Sequence, residues 1–108
     1  MASYLLVNSR DLHEYVGARS VLDLAAQLRA RGNPVTLFLV ENAVFAARQG
    51  SRLNQDLEEL TDKGVRVVAE DVALRARGIT TLSPAVAQSN IDELADLVVD
   101  GSDKVIWY

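Results

Sequence analysis

Short runs of β-branched residues and leucine alternate with longer stretches in which apolar residues recur every three or four positions, and this alternation restricts the chain to a narrow set of folds. It is the pattern of βαβ units, in which each strand is followed by a helix that returns the chain to the same edge of a largely parallel sheet. The strand-like runs are Tyr4 to Val7, Val35 to Val40, Val65 to Ala69, a weak one from Ala85 to Ala87, and Val105 to Tyr108. The expected fold is therefore α/β, a three-layer α/β/α arrangement around a mostly parallel five-stranded sheet. With 108 residues and 49% apolar side chains, residues 1–108 are expected to form one domain with one core.

The connecting segments carry helix signals. Ala18, Val21, Leu22, Ala25 and Leu28 form one stripe, ended by Gly32-Asn33-Pro34. Ala43 to Arg48 reads as a short helix before Gly50, and Ser51 as the cap of a second helix with the stripe Leu53, Leu57 and Leu60. Asp71 is a plausible cap for a helix from Val72 to Arg77, stopped by Gly78. Asn90-Ile91-Asp92-Glu93 has the form of a capping box, with Ile91, Leu94, Ala95 and Val98 expected to be its helix's buried face.

Several classes of function are excluded. The chain has no cysteine, which removes disulfides, thiolate metal sites and any thiol nucleophile. Neither G-x-G-x-x-G nor the P-loop pattern occurs, and Asn8-Ser9-Arg10 stands where a phosphoacceptor receiver needs acids. The net charge is −4; residues 1–78 hold ten acids and ten bases, so the surplus lies in residues 79–108, with five acids against Lys104. An acidic chain without a basic stripe is a poor ligand for nucleic acid. No apolar run is long enough for a membrane span or a signal peptide, so a cytoplasmic location without membrane partners is expected.

In open parallel sheets ligands bind beyond the carboxyl ends of the strands, which selects Asn8 and Ser9, Glu41 and Asn42, and Glu70 and Asp71. Glu41, Glu70 and Asp71 could converge on one rim, as general acid and base or around a hard cation, or serve only as helix caps. Arg75 and Arg77 could present a basic surface to an anion, or simply complement a helix C-terminus. His13 is the one imidazole, and with no matched serine or cysteine beside it in sequence it carries no catalytic reading. Trp107 and Tyr108 either finish the core or anchor a subunit interface.

The segment Val65-Arg66-Val67-Val68-Ala69-Glu70-Asp71-Val72-Ala73-Leu74-Arg75-Ala76-Arg77-Gly78-Ile79 resembles the central part of the DsrE/DsrF-like family of small sulfur-relay proteins. In that family a strand ends in a cysteine and is followed by a short helix of the type Leu-x-Ala-Arg-Gly-Ile. The resemblance implies a DsrE-like fold, assembly as trimers or hexamers of like or related subunits, and sulfur carried as a persulfide on the cysteine. Here the cysteine position reads Glu70, and the place of a second cysteine in some members reads Ala73. The expectation is a non-catalytic, oligomeric or partner-binding subunit without a cofactor or resident metal. The rival is a small-molecule or metal-binding protein, enzymatic or not, using Asn8, Glu41, Asn42, Glu70, Asp71 and Arg75.

Overall fold

A computed structural model describes residues 1–14 and 17–108. Five strands, β1 (Tyr4–Asn8), β2 (Val35–Leu39), β3 (Arg66–Glu70), β4 (Ala87–Ser89) and β5 (Lys104–Trp107), form one sheet in the order β4-β3-β2-β1-β5. All four pairings are parallel. Central strands of such a sheet are covered on both faces and so read as continuous apolar runs. Leu5, Leu6 and Val7 of β1 and Leu37, Phe38 and Leu39 of β2 are accordingly all fully buried.

From β1 to β4 the chain advances in one direction across the sheet, and its crossovers pack on one face. Helix α1 (Ala18–Ala30), a 3₁₀ segment (Glu41–Ala47), α2 (Asn54–Asp62) and α3 (Asp71–Ala76) enclose Leu6, Leu37, Leu39, Val67 and Ala69 there. To reach β5 the chain must return past β1, and it does so over the opposite face. Helix α4 (Ile91–Asp96) and a π-helical turn (Leu97–Gly101) supply Leu94 and Leu97 against Leu5, Val7, Phe38 and Val68.

Local chemistry explains the element ends. Helix α1 closes where Gly32 adopts φ +88° and Asn33 Nδ2 donates to the Leu28 carbonyl. After α3, the Gly78 N–H donates to the Arg75 carbonyl and the Ile79 N–H to that of Leu74, a Schellman closure with Ile79 and Leu74 both buried. Gly64 has φ +98°, a conformation that L side chains rarely adopt, and a Cβ there would also displace the Arg29 side chain, whose Nε lies 2.5 Å from that position.

Five expectations need correction. The stretch after β2 is a 3₁₀ helix beginning at Glu41, whose tighter pitch buries Ala43, Val44, Ala46 and Ala47 together. Ser51 does not cap α2: its Oγ accepts the Leu53 N–H, while Asn54 ties the turn down through the Ala46 and Arg48 carbonyls. The weak fourth run is displaced to Ala87–Ser89, because Ser83-Pro84-Ala85-Val86 forms a turn closed by the Val86 N–H on the Ser83 carbonyl. In α4, Asn90 caps the Glu93 N–H as expected, but the Glu93 carboxylate binds Ser89 and Arg66 rather than completing a capping box. Of the expected face Ile91, Leu94, Ala95 and Val98, only Leu94 is buried, since the helix lies with Leu94 and Leu97 against the sheet.

Candidate functional site

Because every strand runs the same way, all carboxyl ends lie along one edge of the sheet. The residues singled out in the sequence lie at three of its four strand-to-helix junctions, after β1, β2 and β3, and each handles its polar groups differently.

At the end of β1, Asn8 is fully buried. Its Oδ1 accepts the Arg10 N–H at 3.0 Å, while its Nδ2 has no hydrogen-bond partner among the described residues. Beside it, the Ser9 N–H and Oγ both donate to the Tyr108 carbonyl at 2.9 Å, joining this edge to the end of β5.

The β2 junction is organised by Arg77. Glu41 has φ +50°, a left-handed conformation that is uncommon for any residue other than glycine. Its carboxylate lies 3.6 Å from Arg77 Nη2, while Arg77 Nε and Nη2 each donate to Asn42 Oδ1 at 3.0 Å. Arg77 also donates to the Ala73 carbonyl and lies over the Phe45 ring, 5.9 Å from its centroid. The expected residues Glu41 and Asn42 are thus brought together by a guanidinium from the end of α3. With its donors engaged and its plane against an aromatic ring, Arg77 ties the β2 junction to the β3 junction.

At the end of β3, Glu70 and not Asp71 is the residue that caps α3. The Glu70 carboxylate accepts the N–H groups of Val72 and Ala73, two of the orphan donors of the first turn. Asp71 occupies the first helical position, where its Oδ1 also accepts from Val72 N–H and its Oδ2 lies 3.5 Å from Arg75. Hydrogen bonding with Glu70 is the main influence holding the Asp71 carboxyl below its ordinary value, with Val72 N–H and Arg75 adding to it. Both Glu70 oxygens are already occupied by the backbone, so this side chain closes a helix end. Among the described residues no group of three or more acidic or imidazole side chains is disposed to hold a metal ion. Glu41 pairs with Arg77, whereas Glu70 and Asp71 pair with Val72 N–H.

A second constellation stands on the loop after β1. His13 Nδ1 lies 2.8 Å from Asp11 Oδ1, and His13 Nε2 lies 2.9 Å from Ser51 Oγ. Asp11 Oδ1 also accepts the His13 backbone N–H at 2.9 Å. The Asp-x-His spacing is visible in the sequence, but its serine lies 38 residues away and only the packing of the loop on the start of α2 reveals the pair.

An all-parallel five-stranded sheet whose third strand runs directly into a short helix, through a capping side chain, defines a class of small α/β proteins. The chain belongs to the DsrE/DsrF-like family, which it matches over residues 2–108. The crystal structure of the YchN protein from E. coli is similar to it at 27% identity, with a TM-score of 0.90 and 100% of both chains covered. A protein of unknown function, MTH1491 from Methanobacterium thermoautotrophicum, shares the fold at 20% identity and TM-score 0.80, covering 98% of this chain and 97% of its own. BT1422 from Bacteroides thetaiotaomicron does so at 14% identity and TM-score 0.75, with 98% and 95% covered. No curated protein matches the chain. Among the described residues no helix is long and apolar enough to cross a membrane.

Proposed function

We propose that this chain is a DsrE-like subunit that works by binding further subunits, copies of itself or related chains, and does not relay sulfur. The observation that carries the reading is the exposure of four large apolar side chains within residues 91–107. Val99 is 75% exposed and Trp107 60%, with Ile91 and Val98 also on the surface. Apolar groups gathered in one segment of a small domain mark a contact surface. Among the described residues edge strand β5 pairs only with β1, and it offers its other side to a neighbour.

The chemistry at the end of β3 supports the second half of the proposal. A persulfide needs a thiolate, and the position where the family resemblance places it is Glu70 in a chain without cysteine. A carboxylate stores no sulfane sulfur, and this one is engaged with two backbone N–H groups. Cytoplasmic location is part of the same reading.

Native mass spectrometry of the untagged protein tests it. A trimer or hexamer without added mass is the expected result, alongside no uptake of sulfane sulfur from a persulfide donor. A monomer in the presence of its candidate DsrE-like partners, or a protein that accepts and passes on sulfane sulfur, would overturn it.

One observation favours a second reading, a binding site for a small molecule at the sheet edge. A buried donor left unpaired costs about 1–3 kcal/mol. Asn8 Nδ2 is such a donor among the described residues, and it stands where parallel sheets bind ligands. A bound carbonyl or carboxylate oxygen would satisfy it, and would register in the same spectrum as retained mass.

A further inference from the structure

We infer that Ser51, His13 and Asp11 form an acyl-transfer site for short-chain carboxylic esters or thioesters, separate from the sheet-edge residues and independent of the subunit reading. For a neutral His13 ring, the hydrogen-bond directions follow from elementary chemistry. An ionised carboxylate only accepts, so His13 Nδ1 must carry the proton in its 2.8 Å contact with Asp11 Oδ1. The neutral ring then presents a lone pair at Nε2, which can only accept, and Ser51 Oγ at 2.9 Å must donate. A lone pair of Ser51 Oγ is already taken by the Leu53 N–H at 3.1 Å, which agrees with the hydroxyl proton pointing to the ring. The result is a nucleophile on its base, and a base whose tautomer is held by a third group, the arrangement that activates serine on unrelated folds.

The backbone around Ser51 fits the same role. Gly50 has φ +88°, so the chain turns sharply just before the serine, and α2 begins three residues after it. The N–H of Arg52, the residue following the nucleophile, makes no hydrogen bond among the described residues and is the available donor for an oxyanion. Arg52 Nη2 donates to the His13 carbonyl at 2.9 Å and so braces the loop that carries the base. Ser51 is 7% exposed and the His13 and Asp11 side chains 21%, and so small an exposed area favours a short acyl group over a bulky one.

In the reaction, Ser51 Oγ bonds to the acyl carbon as its proton passes to His13 Nε2. The bond from that carbon to the alcohol or thiol breaks, and the leaving group takes the proton from Nε2. Water, deprotonated by His13, then displaces Ser51 from the acyl carbon, and the proton returns to Oγ. The sum is ester plus water giving acid plus alcohol, or thiol, with no redox change.

The test is labelling of the intact protein with a fluorophosphonate probe, followed by mass measurement and peptide mapping, together with hydrolysis of p-nitrophenyl acetate. One adduct on Ser51 is expected, with release of p-nitrophenol that the adduct abolishes. In His13→Gln, with unchanged circular dichroism, labelling should slow by about 100-fold or more, the usual worth of a general base. Failure of the wild-type protein to label, an adduct on another residue, or equal labelling of His13→Gln would each overturn the inference. The wild-type mapping decides it even if the variants unfold.

Discussion

On one face of the sheet, α1, α2, α3 and the 3₁₀ segment seal Leu6, Leu37, Leu39, Val67 and Ala69 beneath a continuous apolar layer. On the other, α4 and the turn after it meet Leu5, Val7, Phe38 and Val68 through Leu94 and Leu97, while Ile91, Val98 and Val99 look outward. Both faces of the central strands are equally apolar, so the strands do not create the difference. It arises because three advancing crossovers share one face and a single returning crossover serves the other. Alongside exposed Asp92, Asp96 and Asp100, this crossover therefore leaves Ile91, Val98 and Val99 uncovered by the chain, and the subunit reading proposed above assigns their cover to a neighbour.

The largest expected effect lies on the sealed face. Leu37→Ala should cost about 3 kcal/mol, the transfer and cavity terms of a fully buried leucine, read as a lower urea midpoint. That loss should be the same at all protein concentrations, whereas the loss from Leu94→Ala should vary with concentration if assembly supports the thin face. Equal concentration behaviour for both would break the comparison.

On the outer side of the same region, Val99→Asp should weaken self-association by about 2 kcal/mol, roughly 30-fold in the dissociation constant, as measured by sedimentation. The stability of the isolated protomer should change by less than about 0.5 kcal/mol. A protomer that unfolds outright would show that Val99 belongs to the chain's own core.

Glu70→Ala removes the acceptor of two N–H groups and should lower stability by about 1 kcal/mol in thermal unfolding. Asp71→Ala should have the smaller effect. The reverse order would return the cap to Asp71.

The smallest effect concerns Glu93, which ties the start of α4 to β3. Its carboxyl is held below the ordinary 4.5, first by Ser89 and then by Arg66. A carboxylate with a depressed folded-state value stabilises the fold above its ordinary value and loses that contribution as pH falls through the folded one. Wild type should therefore exceed Glu93→Gln by about 0.5 kcal/mol at neutral pH, the scale of a partly exposed pair. The gap should close in acid, below the ordinary carboxylate range. A gap that widened in acid would contradict the assigned cause.

The fold was legible because parallel strands buried on both sides leave an unmistakable mark: Leu5-Leu6-Val7 and Leu37-Phe38-Leu39 cannot serve a one-sided sheet. Helix ends were less legible. Whether Glu70 or Asp71 caps α3 depends on the residue at which β3 stops, and the two side chains have nearly the same chemistry. The outward face of α4 was read as core because periodicity reports that a helix stripe is apolar, not whether the rest of the chain covers it. Asn8, Glu41, Asn42, Glu70 and Asp71 were all placed on the sheet edge by topology alone. The role of Arg77 in joining two junctions, and the contact of His13 with Ser51, depend on packing between residues more than 30 positions apart.

The pairing of β1 with β5 has a consequence in time as well as space. Ser3 and Asp103 are hydrogen-bonded across 100 positions of sequence, while β1 to β3 are joined by much shorter crossovers. Closing so long a loop is entropically the most expensive step in assembling this sheet. Pulsed hydrogen exchange should therefore find β5 amides protected after those of β1, β2 and β3. The outward-facing apolar segment would then reach its final shape last, and on the subunit reading proposed above a nascent molecule could not recruit a neighbour until its own sheet was complete.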